Sequence, residues 1–130
     1  MLIQSLIRHA ARYHTDTEIV WRTTEGPLHH YTYADAEAHA KQLAKALMRL
    51  GVAFGDRVAT IAWNNHRHFE AYYAISGIGV VCHTINPRLF ADQLSYIVNY
   101  ARDQVLLVDL TFVPLAEKMA ASCRPSGITW

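Results

Sequence analysis

The chain has 130 residues, of which 52% are hydrophobic and 18% charged, and its formal net charge is +1. This apolar content is sufficient for a packed core, and the near-neutral charge excludes the basic surface typical of nucleic-acid-binding proteins. Two cysteines without a C-x-x-C pair indicate a reducing, cytoplasmic setting. We expect neither a signal peptide nor a transmembrane segment, because no run approaches about 18 apolar residues and Gln4 and Ser5 interrupt the first apolar stretch.

The first 33 residues predict a helix followed by a β-hairpin. Apolar residues recur at helical spacing between Ile3 and Ala10. Two short strands are then predicted, Glu18–Thr23 and Leu28–Tyr33, joined by a turn that contains Gly26-Pro27.

The next helix has the strongest pattern in the sequence. Thr32 can cap its first turn, with Asp35 at the position where a capping box carries an acid, and Gly51 can end it. One face is charged and is interpreted as solvated surface: Glu37, Lys41, Lys45 and Arg49. The other is an apolar stripe: Ala36, Ala40, Leu43, Leu47 and Leu50.

From Arg57 onward, predicted strands and helices alternate. The predicted strands are Arg57–Trp63, Val80–Ile85 and Gln104–Asp109, and a further strand is expected to begin at Ile128–Trp130. The predicted helices are His66–Ser76 (capped by Asn64 or Asn65), about Ala91–Ala101, and a last helix capped by Thr111 with Pro114 in its first turn. Alternation of this kind predicts βαβ units, and therefore an α/β fold with a mostly parallel sheet and right-handed crossovers.

Gly77-Ile78-Gly79 contains the G-x-G of a dinucleotide-binding fingerprint, but the motif fails in two ways. Residue 82 is a cysteine where the third glycine is required, and the motif precedes a strand instead of following one. We interpret it as a helix stop.

The histidines and cysteines predict no metal site and no nucleophile. His66 and His68 are too close in sequence to share a helix face, and His29-His30 should point to opposite faces of a strand. Cys82-His83 are also strand neighbours, so the thiol cannot easily share a proton with the imidazole. Cys82 is interpreted as a small buried hydrophobe.

Polar side chains gather where the predicted strands end, which is where ligands bind in open α/β sheets. Trp63-Asn64-Asn65 closes the first strand, His83–Arg88 closes the second and Asp109 closes the third. The asparagines can equally be caps and turn formers. Arg88 has no acidic neighbour in sequence, so its guanidinium can hold a phosphate or carboxylate, or point to water.

Seven segments in this order resemble the N-terminal region of AMP-forming acyl-CoA synthetases. They are Tyr31–Asp35, Leu50–Val52, Gly55–Ala59, Trp63–Glu70, Gly79–Leu89, Tyr96–Asn99 and Val105–Asp109. The resemblance extends from about Leu2 to about Glu117. Its His83–Leu89 run is most similar to the branch of the adenylate-forming superfamily that acts on medium- and long-chain fatty acids, including relatives that activate methylthio-propionate.

The resemblance implies that residues 1–130 are an incomplete N-terminal domain of an acid–thiol ligase. In the implied reaction, a fatty acid and ATP give an acyl-adenylate and pyrophosphate, with Mg²⁺ offsetting phosphate charge, and CoA then displaces AMP. The family's phosphate loop, ribose-binding aspartate and C-terminal lysine are not among these residues. We therefore expect no catalytic residue here, no cofactor bound by this segment alone and no activity of the isolated chain.

The same resemblance places Asn86, Pro87 and Arg88 near the channel for the pantetheine arm of CoA. Some relatives hold the CoA nucleotide with arginines after the next strand, where Thr111–Val113 stand here. The resemblance also implies a homodimer formed through the N-terminal domain.

Two alternatives remain open from sequence: a stand-alone α/β binding or interaction module, and an enzyme that adenylates an aryl acid or loads a carrier protein.

Overall fold

The computed structural model describes residues 2–23 and 26–121, which form two compact units. Unit 1 contains the described residues up to Gly51 together with Asn64–Gly79, and unit 2 contains Val52–Trp63 and the described residues from Val80 onward. The strand expected at Ile128–Trp130 lies outside the described residues, as does Cys123.

The elements follow the predicted order. The helices are α1 (Gln4–Tyr13), α2 (Tyr33–Arg49), α3 (His66–Gly77), α4 (Ala91–Ala101) and α5 (Val113–Ala120). The strands are β1 (Glu18–Arg22), β2 (Leu28–Thr32), β3 (Arg57–Ile61), β4 (Val81–Thr84) and β5 (Val105–Val108). A 3₁₀ turn at Leu110–Phe112 precedes α5. None of the helices in the described residues is both long enough and apolar enough to cross a membrane.

Unit 1 combines the predicted hairpin with three helices. Strands β1 and β2 pair antiparallel, with Val20 opposite His30, which confirms the hairpin. Ile7 of α1, Tyr31 of β2 and Ala36 of α2 form its buried cluster. The aromatic rings of Trp21 and Phe69 add to it, with centroids 5.9 Å apart.

The predicted capping box of α2 is present. The backbone N–H of Asp35 donates to Thr32 Oγ1 at 3.2 Å, and the backbone N–H of Thr32 donates to Asp35 Oδ2 at 2.9 Å. These hydrogen bonds hold the pKa of Asp35 below its usual value. Gly51 has a φ of 89°, in the region that glycine adopts without steric cost, and it terminates the helix as predicted.

The apolar stripe of α2 is only partly buried. Leu47 is 1% exposed, whereas Leu50 is 53% exposed, so the prediction was wrong for Leu50. The reason is local: Leu50 follows the last residue of α2, and a side chain beyond the final turn no longer faces the neighbouring helices of unit 1.

Unit 2 is built on a parallel sheet with the strand order β4-β3-β5. Ala59 in the central strand lies opposite His83 on one side and Leu106 on the other. This register confirms the predicted parallel sheet. A buried apolar cluster joins the sheet to α4 and α5: Ala59, Ile61, Ile85, Leu94, Val98, Leu106 and Met119.

Two local predictions in unit 2 were wrong. Strand β3 ends at Ile61, and Trp63 is 40% exposed, so the strand does not extend to it. Thr111 does not cap α5, because it lies within the 3₁₀ turn and its hydroxyl accepts a hydrogen bond from the indole of Trp63. Pro114 is tolerated in the first turn of α5, as predicted.

Candidate functional site

The polar strand exits of unit 2 share one edge of the sheet. The N–H of Ile85 donates to Thr60 O and the N–H of Asp109 donates to Ile61 O, both at 2.9 Å. Asn86 and Asp109 therefore follow directly on the two sides of the central strand, at the carboxyl end of all three strands. The parallel register brings these residues together as the sequence predicted.

The asparagines that follow β3 have a different role. Asn64 and Asn65 belong to unit 1, and Asn65 caps α3 by accepting a hydrogen bond from the N–H of His68 at 3.0 Å. The interpretation of Asn65 as a helix cap is therefore confirmed.

Asn86-Pro87-Arg88 forms a tight turn at the carboxyl edge. Asn86 Oδ1 accepts a hydrogen bond from the backbone N–H of Arg88 at 3.0 Å, and the N–H of Leu89 donates to Asn86 O at 3.3 Å. The amide side chain of Asn86 thus has a turn-forming role, while Pro87 has no N–H to donate. Arg88 is exposed, and no ion pair in the described residues involves it. Its five N–H donors remain available for a phosphate, a carboxylate or an amide carbonyl.

An aromatic wall stands at the same edge, on the β5 side. Trp63 Nε1 donates to Thr111 Oγ1 at 2.8 Å, and the rings of Trp63 and Phe112 lie with centroids 4.8 Å apart. Asp109, which is 9% exposed, directly precedes in sequence the 3₁₀ turn that carries Thr111 and Phe112. The stretch Thr111–Val113 contributes apolar side chains and a hydroxyl that already accepts a hydrogen bond from Trp63.

A hydrogen-bonded contact between a histidine and a buried aspartate at the opposite edge was not predicted. His83 Nδ1 lies 2.8 Å from Asp103 Oδ2 and 3.1 Å from Asp103 Oδ1. Asp103 is 2% exposed, and burial raises the pKa of its carboxyl, whereas His83 and, more weakly, Arg57 act to lower it. The N–H of Gln104 donates to Arg57 O at the start of β3, which places this pair at the amino edge. Two features of the sequence could have indicated this contact. An acidic residue, Asp103, comes just before the apolar strand β5, and a histidine, His83, lies on the preceding strand β4.

The geometry of Cys82 agrees with its interpretation as a small hydrophobe. The side chain is partly buried on β4, and burial raises the pKa of its thiol to about 11. Very little thiolate exists at neutral pH, so Cys82 is a poor nucleophile.

The histidines of unit 1 form ring contacts. His29 stacks on His66 with centroids 3.9 Å apart, while His30 faces the other way and contacts Glu18 Oε1 at 2.9 Å. The prediction that His29 and His30 point to opposite faces is confirmed. Among the described residues, no group of three His, Cys, Asp or Glu side chains has the arrangement of a metal site.

A family model described as "AMP-binding enzyme" matches residues 6–128. The chain belongs to this family. It is 55% identical over 115 residues to the 3-methylmercaptopropionyl-CoA ligase of Ruegeria lacuscaerulensis, covering 88% of this chain and 21% of that protein. It is also 49% identical over 122 residues to the medium-chain-fatty-acid–CoA ligase of Ectopseudomonas oleovorans, covering 94% of this chain and 22% of that protein.

The fold of this AMP-binding family member is also found among solved structures. The inhibitor-bound N-terminal domain of FACL13 from Mycobacterium tuberculosis superimposes with a TM-score of 0.87 at 25% identity. The match covers 98% of this chain and 32% of that one. The chain spans about a fifth of the length of the curated relatives it matches. The fold class expected from the resemblance, part of an adenylate-forming N-terminal domain, is confirmed.

Proposed function

We propose that this chain is the first part of a ligase that activates a fatty acid with ATP and transfers the acyl group to CoA. The observation that carries the proposal is the 49–55% identity to two acid–CoA ligases over about nine tenths of the chain. By their names, one relative acts on a medium-chain fatty acid and the other on 3-methylmercaptopropionic acid, which favours an aliphatic acid over an aryl acid. The family match also disfavours a stand-alone interaction module.

The proposed chemistry has two steps. The substrate carboxylate attacks the α-phosphorus of ATP, forming an acyl–phosphate bond and releasing pyrophosphate. The sulfur of CoA then attacks the acyl carbon, its proton is lost and AMP leaves. Bound Mg²⁺ would offset the charge of the phosphates.

Residues 1–130 do not fit the first step by themselves. Their six glycines include no Ser/Thr-Gly cluster that precedes a lysine, so they cannot surround a triphosphate with backbone N–H groups and a cation. We therefore propose that ATP and Mg²⁺ are held by other parts of the ligase, and that the isolated chain binds no cofactor and is inactive.

The part of the chain that fits a substrate is the carboxyl edge of the sheet in unit 2. The Asn86 turn fixes the backbone at the exit of β4, and the exposed guanidinium of Arg88 can donate to the amide carbonyls or phosphates of CoA. We propose that Asn86, Pro87 and Arg88 line the pantetheine channel, with Arg88 as the residue that contacts CoA. From the family resemblance we also propose a cytoplasmic homodimer formed through the N-terminal domain.

A chimera tests the ligase proposal. Residues 2–121 of this chain replace the matching segment of the Ectopseudomonas oleovorans ligase, to which the chain is 49% identical. We expect octanoate-dependent ATP–pyrophosphate exchange within about tenfold of the parent enzyme, a barrier change of about 1.4 kcal/mol.

The isolated 130-residue chain is the matched control and should give no exchange. A chimera that is folded by circular dichroism but exchanges at the background rate would contradict the ligase proposal. Exchange by the isolated chain would contradict the proposal that the ATP site lies elsewhere.

A further inference from the structure

The helices of unit 1 line an open groove of about 230 Å³ that the proposed reaction does not use. Helix α2 contributes a row of small or flexible apolar side chains at i, i+4 spacing: Ala40, Ala44 and Met48. Ile7 of α1 and Tyr73 of α3 supply the other apolar walls. Ile7 is 4% exposed and Ala40 is 5% exposed, so the floor is well packed. The groove therefore offers a preformed apolar surface, which is the usual character of small-molecule sites.

The rim of the groove is cationic. Arg8 of α1 and the adjacent α2 row of Glu37, Lys41 and Lys45 line it. The carboxylate of Glu37 is paired with Lys41 at 2.9 Å, which neutralises the only acid among the lining residues. Arg8 and Lys45 are exposed, and no ion pair in residues 2–23 and 26–121 involves them. Two cations from different helices thus border one apolar groove.

Tyr73 adds no negative charge to this groove that would repel an anion. Burial, and secondarily Tyr33, raises the pKa of its phenol, so the side chain is neutral at physiological pH. An anion at the rim would meet two unpaired cations and no unpaired carboxylate. The charge pattern selects against a cationic ligand and gives a neutral one no electrostatic advantage.

The groove is large enough for the apolar part of a small ligand. Its volume is about 230 Å³ and it is open to solvent, so an alkyl chain can lie along its apolar side chains while a polar end group stays in water. We propose that this groove is a binding site for a medium-chain carboxylate, with the alkyl chain along Ala40, Ala44 and Met48 and the carboxylate between Arg8 and Lys45. This site lies in unit 1, whereas the carboxyl edge assigned to CoA lies in unit 2. The proposal goes beyond the ligase function and does not depend on it.

Methyl NMR of the methionines tests the site directly. The chain has three methionines, of which Met48 lines the groove, while Met119 is 0% exposed in the core of unit 2 and serves as an internal control. The chain is labelled at the methionine ε-methyl carbons and titrated with octanoate, without ATP or CoA. We expect a saturable shift of the Met48 signal with a dissociation constant of about 1 mM or less, and no shift of Met119. Each further buried methylene should tighten binding about fourfold, so hexanoate, which has two methylenes fewer, should bind about sixteenfold more weakly than octanoate.

Two comparisons separate recognition of the carboxylate from unspecific apolar binding. Octanol, which has the same chain without the charge, should bind about tenfold more weakly than octanoate. The double substitution Arg8→Gln with Lys45→Gln should remove this preference, whereas Lys118→Gln, at an exposed position on α5, should not change it. These surface substitutions do not endanger folding.

An unmoved Met48 signal would overturn the proposal. Equal affinities for octanoate and octanol, or parallel shifts of Met48 and Met119, would overturn it as well. Because the titration contains no ATP or CoA, failure here leaves the ligase proposal untouched, and failure of the chimera leaves this site untouched.

Discussion

We expect His83→Leu to lower the free energy of unfolding by about 3 kcal/mol at pH 7. The substitution leaves the carboxyl of Asp103, which is 2% exposed, without its hydrogen-bond partner at 2.8 Å. Removing one partner of a buried pair is costly because the remaining charge is desolvated and no longer has a compensating interaction. Urea unfolding followed by circular dichroism measures the difference.

The loss should depend on pH in a defined direction. Burial raises the pKa of Asp103, so folding favours the protonated carboxyl. This preference stabilises the folded state fully at a pH below the unfolded-state pKa of the aspartate, which is about 3.9. The stabilisation is lost as the pH rises through the folded-state pKa of Asp103. Removal of His83 removes a partner that lowers this pKa. The deficit of His83→Leu should therefore be smallest near pH 4 and grow toward pH 7.

The double substitution His83→Leu with Asp103→Leu is the matched control for this pair. Replacing both partners by apolar groups removes the uncompensated charge, so much of the lost stability should return. A deficit that is the same at pH 4 and pH 7, or a double variant less stable than the single one, would contradict the stabilising role of the His83–Asp103 contact.

We expect Leu47→Ala to cost about 2–5 kcal/mol and Leu50→Ala to cost less than about 0.5 kcal/mol. The two leucines lie three residues apart on the same predicted stripe, but Leu47 is 1% exposed and Leu50 is 53% exposed. Truncating Leu47 removes buried apolar area and leaves a cavity, whereas truncating Leu50 removes atoms that water already surrounds. Urea unfolding of both variants makes the comparison, and equal losses would contradict the described end of α2.

Local sequence patterns predicted most of the fold because helix caps and strands depend largely on residues that are close together in the chain. Thr32 and Asp35 satisfy each other's N–H groups within one helical turn, and both residues can be recognised from their spacing. The apolar run of β3 predicted a strand buried in a parallel sheet, and four of its five residues are buried. The polar strand exits could be placed on one edge because parallel strands all end there.

Most of what the sequence did not reveal depends on contacts between residues far apart in the chain. Thr111 has the side chain of a helix cap, but its hydroxyl is taken by Trp63, 48 residues away. His83 on β4 and Asp103, which lies two residues before β5, are 20 residues apart, and the pairing of both strands with β3 brings them together. Leu50 fits the hydrophobic periodicity of α2, but periodicity does not indicate the residue at which a helix ends.

The role of the charged row on α2 also required the structure. From sequence, Lys41 and Lys45 belong to an ordinary solvated face. That Arg8 on α1 lines the same groove as this row could not be inferred from the spacing of residues within α2. A groove between helices depends on their packing, which local patterns do not specify.

The most direct test of the carboxyl edge as the CoA-binding face is Arg88→Ala in the chimeric ligase. We predict that the KM for CoA rises about tenfold, corresponding to the loss of one charged hydrogen bond, while ATP–pyrophosphate exchange changes by less than about twofold. Arg67→Ala, at an exposed position on α3, should change neither quantity. An unchanged KM for CoA, or an equal loss in exchange and thioester formation, would contradict the assignment.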